Sequence, residues 1–379
     1  KEGADQLEVV CQTCTFSNNE AISNGGALSI TNPIIFSHFV SCEFTGNSAQ
    51  KGGSLYINTK RLSIHSCVFT SETSSEGNSI YIDQNSQVSL TDSDFINCGT
   101  TGNVIVLNGG SISMEDSAIE FTDSAISNRG LEILNYDEIE LNADTFTNCN
   151  AGTEKGGAIF YENPPSTSSK QLFEDGTRLT IELCIFNSNS AAEGCSLYFD
   201  AANPPTIQLC EFNYHETLSS IITIKTYNTP SYDLENCTFQ NNHYGGTQNI
   251  GGSGFVFEYR NTEGDEVLAT TDLFLTGCEF SENSAQTAGA FGLENLNNIK
   301  QITIDSCVFI GNIATQNTGG ALSYNSGADL LIQNCDFSNN NAKTNGGSIC
   351  LVLNARSPQI TNCAFKLDTA NGQGNSIYC

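Results

Sequence analysis

The sequence predicts an all-β protein, one continuous parallel β-helix over residues 1–379, built from about 13 coils of three short strands each. Three observations predict it. A phenylalanine slot recurs at Phe16, Phe44, Phe69, Phe95, Ile119, Phe146, Phe186, Phe212, Phe239, Phe280, Phe309, Phe337 and Phe365, spaced by 24 to 29 residues except for two gaps near 40. That period fits one turn of a β-helix and is too short for TPR or HEAT helices. Apolar and polar residues alternate with period two around these slots, as in Leu62-Ser63-Ile64 and Ile302-Thr303-Ile304, the pattern of a strand with one buried face. Finally, Gly, Asn, Ser and Thr abound while Trp is absent and Met occurs once, and those abundant residues are poor helix formers.

Each coil opens on a G-G-[AS]-[LI]-x-[IYF] strand, in which Leu55 and Ile57 face inward. An L-x-I strand follows, with Leu62 and Ile64 inward. Two polar corner residues, such as His65-Ser66 or Asp305-Ser306, lead into a C-x-F strand whose Cys67 and Phe69 point inward together, being two apart. Three residues beyond Phe, Asn recurs at Asn19, Asn47, Asn189, Asn242, Asn283, Asn312 and Asn340, where it can bond both local backbone and the next coil. The two long gaps place insertions near 162–178 and 258–272, between the first and second strands. At the interstrand spacing the rod would be about 60 Å long.

The FxxN tetrads (Phe44-Thr45-Gly46-Asn47, Phe280-Ser281-Glu282-Asn283, Phe337-Ser338-Asn339-Asn340) alternate with GGA[ILV] tetrads (Gly25-Gly26-Ala27-Leu28, Gly156-Gly157-Ala158-Ile159, Gly319-Gly320-Ala321-Leu322). This pattern resembles the repeat of the chlamydial polymorphic outer membrane proteins and similar repeats in large surface proteins of protists. The resemblance covers nearly the whole chain. It implies a right-handed β-helix of pectin-lyase-like shape, exposed at a cell surface and often adhesive. The Cys before each Phe lies outside the family tetrads and fits a secreted or surface protein of a eukaryotic microbe.

A formal charge of −28 argues against nucleic acid and anionic membrane surfaces as partners. No run of eighteen apolar residues occurs, so membrane insertion by a helix of this segment is not expected. The chain opens on Lys1-Glu2-Gly3 without an initiator Met or leader pattern, as in a processed form or a fragment. Sixteen cysteines point to an extracellular setting. Ten of them form a core ladder: Cys14, Cys42, Cys67, Cys184, Cys210, Cys237, Cys278, Cys307, Cys335 and Cys363, with Ser93, Ser117 and Asp144 standing in on coils four to six. Two readings stay open: buried thiols acting as small apolar residues, or interstrand disulfides. Cys98 and Cys149 share the Asn slot two coils apart, whereas Cys11, Cys195, Cys350 and Cys379 are the candidates for disulfide or intermolecular links.

Three further features could carry chemistry. Asp92, Asp94, Glu115 and Asp116 gather on adjacent coils, where stacked carboxylates repel and a hard cation such as Ca²⁺ would relieve them; a solvated acidic face is the plainer alternative. Otherwise no cofactor is expected. The outward slot of the first strand stacks Tyr56, Tyr81 and Val106, then Phe160 and Tyr198, an exposed apolar stripe that would mark an interaction face or consist of ordinary outward β-formers. Asn236-Cys237-Thr238 is the sole N-glycosylation triplet. No general acid–base pair, nucleophile triad, P-loop or HExxH motif is present. The expected function is therefore a non-enzymatic, extracellular or cell-surface structural or adhesive β-helix that presents flat faces and loops to a protein or glycan partner. The alternatives are a self-associating filament or surface-coat subunit and a polysaccharide lyase or hydrolase.

Overall fold

The computed structural model describes residues 8–31, 36–84, 86–122, 127–163, 178–201, 203–226, 231–247, 250–259, 271–294, 299–352 and 356–379. Within them the chain is a parallel β-solenoid. The L-x-I strands form an unbroken sheet of 13, from Glu8–Gln12 to Arg356–Thr361, and the C-x-F strands form another 13, from Thr15–Ser17 to Ala364–Lys366. The Gly-Gly strands make a sheet of nine, Leu28–Thr31 to Phe255–Tyr259, and a sheet of four, Phe291–Glu294 to Ile377–Tyr378. Each coil contributes one strand to each of these faces, in keeping with the coils counted in the sequence. A fourth, unforeseen face follows the Asn slot: two-residue strands from Glu216–Thr217 to Thr369–Ala370 pair into a six-stranded sheet. The insertions expected near 162–178 and 258–272 fall between Ile159–Asn163 and Arg178–Glu182 and between Phe255–Tyr259 and Thr271–Thr276, and 164–177 and 260–270 lie outside the described residues.

Register is in phase along the rod. Phe44 pairs with Phe69, Phe69 with Phe95 and Phe309 with Phe337, and the rings stack nearly parallel at 4.6, 4.6 and 4.7 Å. The coil turns because three positions per coil take positive φ: the residue before Cys (Ser66, 51°), the residue two beyond Phe (Asn18, 53°) and the first Gly (Gly52, 61°). The second Gly is required by crowding, since a Cβ on Gly53 would lie 2.0 Å from the Asn78 carbonyl oxygen.

Two hydrogen-bonded ladders staple the coils. Asn312 Oδ1 accepts the Asn283 N–H (3.1 Å), and its Nδ2 donates to the Phe280 carbonyl (2.8 Å). Asn340 does the same for Asn312 and Phe309. Each buried Asn thus satisfies one backbone donor that lies between strands and gives a second donor to a carbonyl of the C-x-F strand. The Cys slot has a similar logic. Cys307 N–H donates to Cys335 Sγ (3.4 Å), and Cys335 Sγ donates to the Gln333 carbonyl (3.0 Å). On coils four to six, Cys67 N–H donates to Ser93 Oγ, Ser93 N–H to Ser117 Oγ and Ser117 N–H to Asp144 Oδ1. Cys, Ser and Asp interchange because each offers an acceptor to the coil below. The ladder cysteines are therefore more than small apolar residues.

Candidate functional site

The outward face of the L-x-I sheet carries a trough over strands Phe36–Val40, Arg61–His65, Gln87–Thr91, Ser111–Glu115 and Glu138–Asn142. Its central column, set by register, runs His38, Ser63, Ser89, Ser113, Glu140. A second column runs Arg61, Gln87, Ser111, Glu138. Side chains this short leave a depression of about 490 Å³, floored by Leu62, Val88 and Ile112. Phe36 and His38 wall one end, with rings edge-on at 4.1 Å. Glu138 and Glu140 wall the other. The trough combines hydroxyls, an arginine and a carboxylate pair along five successive rungs, a layout that fits a ligand extended along the rod axis. Sequence reasoning missed it, although the signal was there in three consecutive L-x-I strands with Ser at x.

The aromatic column on the Gly-Gly sheet is in the expected register, Tyr56–Tyr81–Val106–Glu132–Phe160–Tyr198. It is not the exposed interaction face anticipated. Tyr56, Tyr81, Val106 and Tyr198 are buried, at 8%, 2%, 0% and 0% exposure, and Phe160 is half-buried. Long basic side chains from neighbouring turns and strands cover the rings: Lys51 lies 4.4 Å over Tyr81, Arg129 4.3 Å over Phe160, and Lys155 and Lys225 4.5 and 4.9 Å over Tyr198. Each cation is held by a glutamate: Lys51 by Glu76, Arg129 by Glu132, Lys155 by Glu162 and Lys225 by Glu193, at 3.0, 3.0, 3.2 and 2.6 Å. Tyr56 donates to Asp83. Aliphatic stems shield the rings while the charged heads stay paired.

A model of the right-handed β-helix region matches residues 78–258, and a model of the Chlamydia polymorphic membrane protein repeat matches residues 13–31. The second covers the coil of Phe16 and Gly25-Gly26-Ala27-Leu28, whose pattern the sheets then repeat to the last coil. The chain is a β-helix repeat protein whose repeat is similar to that of the Chlamydia polymorphic membrane proteins. No curated protein matches it.

Elsewhere in this β-helix repeat protein the anticipated acidic site does not assemble. Asp92 and Asp116 occupy successive corners, at φ 49° and 51°, but Asp92 pairs with His65 (3.4 Å) and Asp94 stands opposite Ala118. Glu115 stands opposite Thr91. No three acidic, His or Cys side chains converge as metal ligands among the described residues.

The described cysteines form no disulfide. Cys195, expected as a linking cysteine, is buried with its Sγ 2.9 Å from Thr217 Oγ1 and 3.1 Å from Ser219 Oγ. Cys350 is buried as well, in register between Ser323 and Tyr378. Cys11 is half-buried against the core and Cys379 is exposed. Burial pushes the Cys67 thiol up to about 11 and Cys98 up to about 12, which keeps them as unreactive thiols.

One buried trio resembles a catalytic triad. His215 occupies the Asn slot, with Nδ1 3.0 Å from Asn242 Oδ1 and Nε2 2.7 Å from Ser196 Oγ. Asn242 Oδ1 can only accept, so Nδ1 carries the proton and Nε2 accepts from Ser196. Ser196 and His215 are both fully buried, so no substrate reaches them, and the trio is a variant of the Asn ladder. Burial drives the His215 pKa down to about 4. Burial raises Glu72, in the same ladder, and Asp144, in the Cys ladder, to about 7 each.

Proposed function

We propose that this protein is a non-enzymatic surface scaffold that holds an extended partner, protein or glycan, in the trough over the L-x-I sheet. The observation that carries this reading is the column of Ser63, Ser89 and Ser113 between Phe36/His38 and Glu138/Glu140. It leaves a row of hydroxyls without partners among the described residues, on backbone fixed by the sheet. Rigid strands position such groups without an ordering cost on binding. The match to a polymorphic membrane protein repeat supports placement at a cell surface.

The competing reading is a polysaccharide hydrolase working through Glu138 and Glu140, two outward carboxylates two residues apart on one strand. His38 and Glu140 are four rungs apart, about 19 Å, too far to act as acid and base on one bond. Incubation with a panel of neutral, acidic and amino-sugar polysaccharides decides between them. Binding without release of reducing ends supports the scaffold. Turnover that disappears in Glu138→Gln or Glu140→Gln replaces it with the hydrolase.

A further inference from the structure

The corner before each Cys slot takes a left-handed backbone in coil after coil, a conformation that Asn, Asp and Gly tolerate and bulky residues resist. Leu183 (φ 57°) and Leu209 (φ 56°) nonetheless fill two successive corners, and Asn236 (φ 52°) fills the third. The three stack in register, since Leu183 N–H donates to the Gln208 carbonyl and Leu209 N–H to the Glu235 carbonyl. The leucines remain 48% and 42% exposed. Each holds a backbone conformation that its Cβ resists, yet nearly half of its surface stays exposed within the described fold. Exposed apolar residues in strained positions call for something to cover them.

Asn236 stands one rung beyond Leu209. It heads the sole N-x-[ST] triplet of the sequence, Asn236-Cys237-Thr238, and its side chain is exposed. Further along the same edge a corner Asn ties its amide to the preceding coil: Asn334 Nδ2 donates to Asp305, and Asn362 Nδ2 donates to Asn334. Behind Asn236 stands Leu209, which offers no acceptor, and Asn236 Nδ2 has none among the described residues. Its oxygen leans over the next coil instead, where a Cβ on Gly277 would lie 2.3 Å away.

We propose that Asn236 is an N-glycosylation site and that the first sugars of its glycan lie over Leu209 and Leu183. The donor is an oligosaccharyl polyprenyl diphosphate. Asn236 Nδ2 attacks the anomeric carbon, the bond from that carbon to the diphosphate oxygen breaks, the polyprenyl diphosphate leaves and the amide gives up one proton. Leu209 is one rung from the attachment point and Leu183 two, about 10 Å, a reach that two sugars span. The proposal is independent of the trough.

The test uses the full chain secreted from eukaryotic cells. Enzymatic release of N-glycans in oxygen-labelled water marks each modified Asn as labelled Asp, read by peptide mass. The expected result is conversion of Asn236 in the parent chain and none in Asn236→Gln or Thr238→Ala. Release from the folded protein should also raise binding of a hydrophobic dye severalfold, and a Leu183→Ser, Leu209→Ser double variant, still glycosylated, should show no such rise. An unmodified Asn236, or dye binding unchanged on release, overturns the proposal.

Discussion

Replacing Asn312 by Ala is the most direct probe of what holds the coils together. The side chain is fully buried. Its loss orphans the Asn283 N–H, which it satisfies at 3.1 Å, and removes a second donor, at 2.8 Å, from the Phe280 carbonyl. One buried orphan at about 1–3 kcal/mol and one lost hydrogen bond at about 0.5–1.5 kcal/mol predict a loss of roughly 2–4 kcal/mol. Asn341→Ala, which removes only an exposed bond to Thr369, should stay within about 1 kcal/mol. Stacked repeats unfold locally as well as globally, so the assay pairs urea denaturation with native-state hydrogen exchange at the Asn283 amide. A loss below about 0.5 kcal/mol with that amide still protected would refute the ladder argument.

Further outcomes follow from the same geometry. Glu72 and Asp144 are raised to about 7 by burial, so the stability they lend is complete below the ordinary carboxylate range and is lost as pH rises toward 7. Glu72→Gln or Asp144→Asn should flatten that fall and stabilise the protein at pH 8 by up to about 3 kcal/mol, read from melting across pH. His215, lowered to about 4, acts in the opposite sense: its contribution is present above pH 6.5 and is lost on acidification to 4, and His215→Asn should remove that loss. Cys335→Ser keeps an acceptor for the Cys307 N–H and should cost under about 1 kcal/mol, whereas Cys335→Val should cost about 1–3 kcal/mol by chemical denaturation. Arg129→Ala strands the poorly exposed Glu132 and should cost about 3–5 kcal/mol, while Lys51→Ala, with a more exposed partner, should cost about 0.5–1 kcal/mol in the same assay.

The scaffold was legible in the sequence because its determinants are local and repeated. Cys67 and Phe69 are two apart and must share a face, and Asn47 follows Phe44 by the same three residues as Asn340 follows Phe337. The burial of Tyr81 was not legible. Its direction follows from the strand pattern, but its cover comes from Lys51, a residue of the previous coil whose reach no period encodes. Cys195 failed for a related reason. It lies outside the ladder, yet Thr217 and Ser219 of the next coil enclose it. The trough was legible only in hindsight of register, since Ser63, Ser89 and Ser113 are unremarkable until stacked.

The proposed function places the partner on positions that the repeat leaves free, and the trough is where that proposal is tested. The decisive measurement is binding of an immobilised panel of linear glycans and surface proteins by the parent chain and by Ser89→Trp. The indole fills the middle of the trough and touches neither ladder. At least one partner bound by the parent and lost by about tenfold or more in Ser89→Trp, about 1.4 kcal/mol, with the melting temperature unchanged, is the result predicted. Equal binding by both chains would contradict it.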